Sequence, residues 1–120
     1  MKQPNKQHRV FVIQRTDHDL SQLSEWGTIK ILFGRGFFPD DISERQEKMR
    51  LIMDRHLGDF KTDFDFVVPV GDLILVAVVT EYLVSNEKSP FRMLKFDKLH
   101  KGYYPIDIGD YSYADSRTSR

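Results

Sequence analysis

The chain has 120 residues, of which 18 are basic and 18 acidic, so its formal net charge is zero. This length fits a single domain, and the charge balance disfavours both a strongly basic nucleic-acid binder and an acidic solubilising protein. The sequence contains no cysteine, which excludes disulfides, thiolate zinc ligands and a cysteine nucleophile.

Hydropathy along the chain predicts one domain between two polar ends. The longest unbroken apolar run covers residues 73–79, far fewer than the ~18–20 residues of a membrane span. Residues 1–8 are polar and lack the apolar stretch of a secretory signal. We therefore expect a cytoplasmic protein with no membrane partner: a flexible segment at 1–8, a domain at 9–108 and a flexible polar tail at 109–120.

The first elements predicted in chain order are a strand, a short helix and a second strand. The β-branched and aromatic run at 10–13 predicts a buried strand, and the alternation at 28–33 predicts another. Between them, apolar residues spaced by threes over 17–26 predict a short helix that Asp17 or Asp19 caps.

A longer helix and a third strand follow. Asp41 and Glu44 are spaced as in a capping box, and apolar residues at helical intervals then predict a helix over 41–57. Residues 64–70 predict a strand in which Pro69 lies at the end, because proline cannot donate to a ladder.

The apolar segment at 73–86 is consistent with two structures. Its β-branched residues suit a strand paired back onto residues 64–68, whereas Asp72 is a good N-cap and the segment is long for a strand. We favour a helix packed on a sheet, which can be apolar nearly all round. Two strands then follow at 91–96 and 103–108, and Pro105 indicates that the last is an edge strand.

These elements predict an α/β fold in a small single domain. Strand-helix-strand alternation favours parallel crossovers, so we expect a mixed, mostly parallel sheet of about five strands, two main helices and a C-terminal β-hairpin. An exposed edge at 103–108 would allow a homodimer by sheet extension, although Pro105 would also oppose such pairing.

The C-terminal half resembles a family of short uncharacterised proteins encoded by bacteriophages and mobile elements. The similar segments are Asp65-Phe-Val-Val-Pro-Val-Gly-Asp72, Leu94-Lys-Phe-Asp97 and Tyr103-Tyr-Pro-Ile-Asp107. Two positions differ from the family pattern, since Leu73 replaces a proline and Phe96 replaces a tryptophan. The resemblance implies a phage or mobile-element origin and no particular reaction.

Candidate ligand-binding residues follow the predicted strands, because ligands of open α/β sheets bind beyond the carboxyl ends of parallel strands. Gly71 would allow close backbone approach, and Asp72 could accept a hydroxyl; the alternative is a tight turn with an Asp N-cap. Asp17 and His18 combine a carboxylate with an imidazole, and Arg35 adds a guanidinium between two glycines. Each also fits a simple loop or cap.

Neither catalysis nor a cofactor is predicted. The chain lacks a complete Rossmann or P-loop glycine motif, a serine-nucleophile elbow and paired zinc-ligand histidines. We therefore expect no catalytic residue, no metal and no cofactor.

A local cluster of basic and aromatic residues suits stacking on bases and attraction to phosphates. Its members are Lys95, Lys98, Lys101, Tyr103 and Tyr104. Nearby acidic residues and the neutral total charge weaken this interpretation, so nucleic acid is a disfavoured partner.

The sequence favours a small phage-type accessory protein that binds a host protein or a small molecule without catalysis. One alternative is a nucleotide-binding or metal-assisted enzyme that uses Asp17, His18 and Asp72 at the strand ends. Another is a nucleic-acid-associated factor that uses the basic-aromatic hairpin at 95–104.

Overall fold

The computed structural model describes residues 8–37 and 42–109. The proposed Asp41 cap and the terminal segments 1–7 and 110–120 lie outside this range. The elements within it are, in chain order, β1 (Arg9–Gln14), a 3₁₀ helix (Ser21–Glu25), β2 (Thr28–Phe33), α1 (Ile42–Leu57), β3 (Asp65–Val68), α2 (Leu73–Ser85), β4 (Phe91–Asp97) and β5 (Gly102–Ile108).

The strands form one sheet in the order β2-β1-β3-β4-β5. The first four strands of that order pair in parallel, and β4 and β5 form an antiparallel hairpin. The predicted fold class, a mostly parallel mixed sheet with two helices and a C-terminal hairpin, is confirmed. Strand β5 lies at an edge, which is where Pro105 is tolerated.

The ambiguous segment forms a helix, so the competing hairpin onto residues 64–68 is wrong. Asp72 is its N-cap, since its Oδ1 accepts a hydrogen bond from the Ile74 N–H at 2.8 Å. The helix buries one stripe, Leu75, Val79 and Leu83. This helix is not apolar and buried all round, because Leu73 at its start is 82% exposed.

Two predicted elements are shorter than the sequence pattern suggested. Strand β3 ends at Val68, and Val70 turns back so that its N–H donates to the Val68 carbonyl at 2.8 Å. The helix predicted over 17–26 contracts to the 3₁₀ segment Ser21–Glu25, which follows a turn where the Asp19 carboxylate accepts from the Ser21 N–H at 2.9 Å.

The two faces of the sheet are covered unequally. One face packs its buried side chains, Phe11, Ile13, Phe33, Val67 and Phe91, against both α-helices. On the opposite face Val10, Val12, Phe66, Val68 and Leu94 pack mainly against Leu23 of the 3₁₀ helix and neighbouring loop side chains. The second face thus lacks an α-helical cover among the described residues. No helix of the described ranges is long and apolar enough to cross a membrane.

A buried ion pair joins β1 to β3 at the amino ends of these strands. Asp65 is 1% exposed, and its two carboxylate oxygens accept from Arg9 Nε at 3.2 Å and Nη2 at 2.8 Å. The Lys61 N–H donates to the same carboxylate at 2.7 Å, and Arg9 also bonds Asp59. Arg9 and Asp65 are register partners, so the pair fixes the alignment of the two strands.

Replacing Arg9 with Met should lower the free energy of unfolding by about 3–5 kcal/mol, because it leaves the buried Asp65 carboxylate without its cation. Urea denaturation measures the loss. Lys48→Met is the matched control, since it breaks the exposed Lys48–Glu44 pair and should cost no more than about 0.5 kcal/mol. Equal losses in the two variants would contradict a structural role for the buried pair.

Candidate functional site

The candidate site lies at the edge of the sheet where the four parallel strands end. Strands β2 and β3 flank β1 on opposite sides, so the chain changes its winding direction between β1 and β3. Loops leave such a switch point in opposite directions and open a crevice between them, where open α/β sheets bind ligands. The loops at this edge begin after Gln14, Phe33, Val68 and Asp97.

Gln14 connects three of these strand ends. Its side chain is buried, Nε2 donates to the Gly34 carbonyl at 3.2 Å and Oε1 accepts from the Asp72 N–H at 2.9 Å. Its backbone N–H donates to the Val70 carbonyl at 3.0 Å. One amide thereby holds the loops after β2 and β3 against the end of β1.

Gly71 makes this arrangement sterically feasible. Its φ of +121° is rarely adopted by other residues, and a Cβ at this position would lie 2.4 Å from the Cβ of Gln14. The group that Gly71 approaches closely is thus the Gln14 side chain. Asp72 follows as the α2 cap, which confirms its interpretation as an N-cap.

The five predicted ligand-binding residues line one crevice of about 470 Å³, which we call the polar crevice. Its walls are Gln14, Arg15, Thr16, Asp17, His18, Arg35, Gly36, Gly71 and Asp72. Across its mouth, Arg35 Nη1 donates to Asp17 Oδ1 in an ion pair whose side chains are both largely exposed. The structure therefore brings these residues together from three separate loops.

A second cavity of about 440 Å³ adjoins the polar crevice on the sheet face that lacks an α-helix. We call it the aromatic pocket; it is lined by His18, Asp19, Val68, Pro69, Val70, Leu94, Lys95, Phe96, Lys98 and Tyr103. The Phe96 and Tyr103 rings meet edge to face with centroids 5.2 Å apart. His18 lines both cavities, so they are adjacent compartments of one edge.

The surroundings at this edge shift the pKa of Asp19 and that of Tyr103 in opposite directions. The Ser21 N–H lowers the pKa of Asp19 through a hydrogen bond to the carboxylate. Burial raises the pKa of Tyr103, and the nearby Asp19 charge adds to this effect. Asp19 therefore stays ionised and Tyr103 stays neutral at physiological pH.

The predicted basic-aromatic cluster is divided by the sheet. Lys95, Lys98 and Tyr103 line the aromatic pocket. Tyr104 follows Tyr103 in β5 and therefore points to the opposite face, as does the side chain of Lys95, its register partner in β4. Lys101 lies in the β4–β5 turn with a φ of 54°, outside the lining of both cavities. A hydrogen bond from His100 in the same turn lowers the pKa of Asp97, which adds a negative charge there.

Several residues of the edge were not identified from sequence. The sequence did not indicate Gln14, Arg15 or Phe96 as site residues. A polar residue that ends an apolar strand is the one sequence signal for Gln14, since a buried amide requires hydrogen-bond partners. Within the described ranges, no three His, Asp or Glu side chains are grouped so as to hold a metal ion.

The fold and this edge define a small open-sheet α/β protein with a crevice at its switch point. The chain belongs to the family described as phage Pam3 gp32-like protein, which matches residues 8–109. The match confirms the expectation of a phage-encoded family and covers nearly the whole domain. No match was found among curated proteins or among solved structures.

Replacing Gly71 with Ala should lower the free energy of unfolding by about 2–4 kcal/mol, because backbone strain and overlap with Gln14 add together. Gly36→Ala is the control: its φ is +71°, and a Cβ there meets nothing within 4 Å, so strain alone should cost about 1 kcal/mol. Chemical denaturation compares the two variants. Losses of the same size would show that the contact with Gln14 is unimportant.

Proposed function

We propose that this member of a phage-encoded family acts by binding a small molecule at the carboxyl edge of its parallel strands. The observation that carries the proposal is the pair of adjoining cavities that share His18. Both volumes, about 440 and 470 Å³, fall within the ~300–1,000 Å³ of small-molecule sites. The polar compartment supplies hydrogen-bonding and charged groups, and the aromatic compartment supplies apolar surface.

Binding is favoured over catalysis by the state of the carboxylates. Asp17 is paired with Arg35, and Asp72 accepts the N–H of Ile74 as a helix cap. A carboxylate that acts as a general base must be directed at substrate, and these two carboxylates are engaged with internal partners. Rigid support by Gln14 suits a preorganised binding site, since less ordering is then required when a ligand binds.

A fragment screen monitored by ¹⁵N chemical shifts tests the proposal. Bound fragments should shift the amides of Asp17, His18 and Gly71. His18→Gln should weaken binding about tenfold, roughly 1.4 kcal/mol, because the imidazole contacts both compartments. His56→Gln, on helix α1, is the matched control and should change nothing.

A cavity at the opposite edge of the sheet serves as a comparison site in the fragment screen. It is smaller, about 360 Å³, and is lined by Thr62, Asp63, Pro90, Phe91, Arg92 and Asp107. Fragments that shift only these residues, or a screen that shifts none, would refute the proposal.

A protein partner is the second candidate function, favoured by apolar side chains exposed at the same edge. Leu73 is 82% exposed, Ile74 63% and Leu99 83%. Exposed apolar groups at one edge of a small domain are typical of protein contacts. A host protein bound there would cover them along with the mouth of the polar crevice.

Leu99→Ser should abolish retention of a host protein that the wild-type chain retains on an affinity column. Leu51→Ser is the control, because Leu51 is 52% exposed but lies on helix α1. A host protein retained equally by both variants would place the contact elsewhere on the molecule.

A further inference from the structure

The acidic groups that line the two cavities all have internal partners. Asp17 pairs with Arg35, Asp19 accepts the Ser21 N–H at 2.9 Å, and Asp72 accepts the Ile74 N–H at 2.8 Å. Each carboxylate thus has an internal hydrogen-bond or ion-pair partner before a ligand arrives, although all three keep their negative charge.

Basic side chains at this edge, unlike the acidic ones, include several without an internal partner. Across the described ranges, the side chains of Arg15 and Lys98 make no ion pair and no hydrogen bond, and both residues are exposed. The His18 side chain is also unengaged there, since only its backbone N–H is bonded, to Thr16 Oγ1 at 3.3 Å. The charged side chains at this edge that lack an internal partner are therefore basic.

The aromatic pocket suits a flat apolar group. Val68 and Leu94 are each 1% exposed and form its floor, while Phe96 is 42% exposed and presents its ring at the rim. Phe96 and Tyr103 meet at an interplanar angle of 67°, which leaves ring faces and edges available to a third ring.

We propose that the aromatic pocket binds a planar aromatic ring that carries an anionic group. The ring lies against Phe96 and Tyr103, and the negative charge lies at the mouth beside Lys98 and His18. This inference rests on the proposed small-molecule function and specifies the ligand class of the same edge. Aromatic acids and mononucleotides share this chemistry.

Isothermal titration with 2-naphthoate and its neutral isostere 2-naphthamide tests the charge. Naphthoate should bind about tenfold more tightly, which corresponds to one charge-assisted contact of about 1.4 kcal/mol. Lys98→Gln should remove this difference and leave the affinity for naphthamide unchanged. Lys30→Gln, an exposed lysine on β2, is the matched control and should preserve the difference.

A second pair of probes, AMP and adenosine, distinguishes the two sources. If mononucleotides are the ligands, the phosphate extends into the polar crevice, and Arg15→Gln should weaken AMP about fivefold or more without affecting adenosine. If aromatic acids are the ligands, naphthoate binds, AMP does not bind more tightly than adenosine, and Arg15→Gln has no effect.

Three outcomes would overturn the inference: equal affinity for naphthoate and naphthamide, an unchanged preference in Lys98→Gln, or no binding by any of the four probes. The proposed function is judged separately by the fragment screen. Neutral or cationic fragments that map to His18 and Gly71 would support a small-molecule site while rejecting an aromatic anion as its ligand.

Discussion

Buried polar groups must be hydrogen-bonded, and at the end of β1 this requirement organises the edge of the sheet. The Gln14 amide reaches its partners only when the loops after β2 and β3 converge on β1. A side chain at position 71 would overlap Gln14, since its Cβ would lie 2.4 Å from the Gln14 Cβ. The shape of the polar crevice therefore depends on the Gln14 side chain and on the absence of a side chain at Gly71.

Unequal cover of the two sheet faces explains why a second cavity lies beside the first. The connection from β1 to β2 contains only the short 3₁₀ helix Ser21–Glu25, whose Leu23 is buried against that face. Apolar residues at the ends of β3 and β4 then form the floor of an open depression, which the β1 loop and Tyr103 border. The same short connection brings His18 to the boundary between the two cavities.

Charge is arranged differently at the two ends of the parallel strands. At the amino ends, the buried Asp65 carboxylate pairs with the partly exposed Arg9, and this pair aligns the two strands. At the carboxyl ends, carboxylates are engaged with loop and helix N–H groups or with Arg35, while Arg15 and Lys98 face solvent. The second arrangement keeps positive charge available, which is the physical basis of the ligand class proposed above.

The sequence by itself determined the local elements, because their signals are local. Each signal depends on neighbours within a few residues, as in the apolar run at 10–13, the Asp72 cap and the position of Pro105. Together these signals predicted the fold class. The strand-end rule also selected Asp17, His18, Arg35, Gly71 and Asp72, which line one crevice. Tertiary structure alone decided the roles of Gln14 and Phe96 and the division of the basic-aromatic cluster. Gln14 bonds partners 20 and 58 residues away, and the faces presented by Tyr103 and Tyr104 depend on strand register. Contacts at such separations are fixed by the packing of the whole sheet, and no local sequence pattern specifies them.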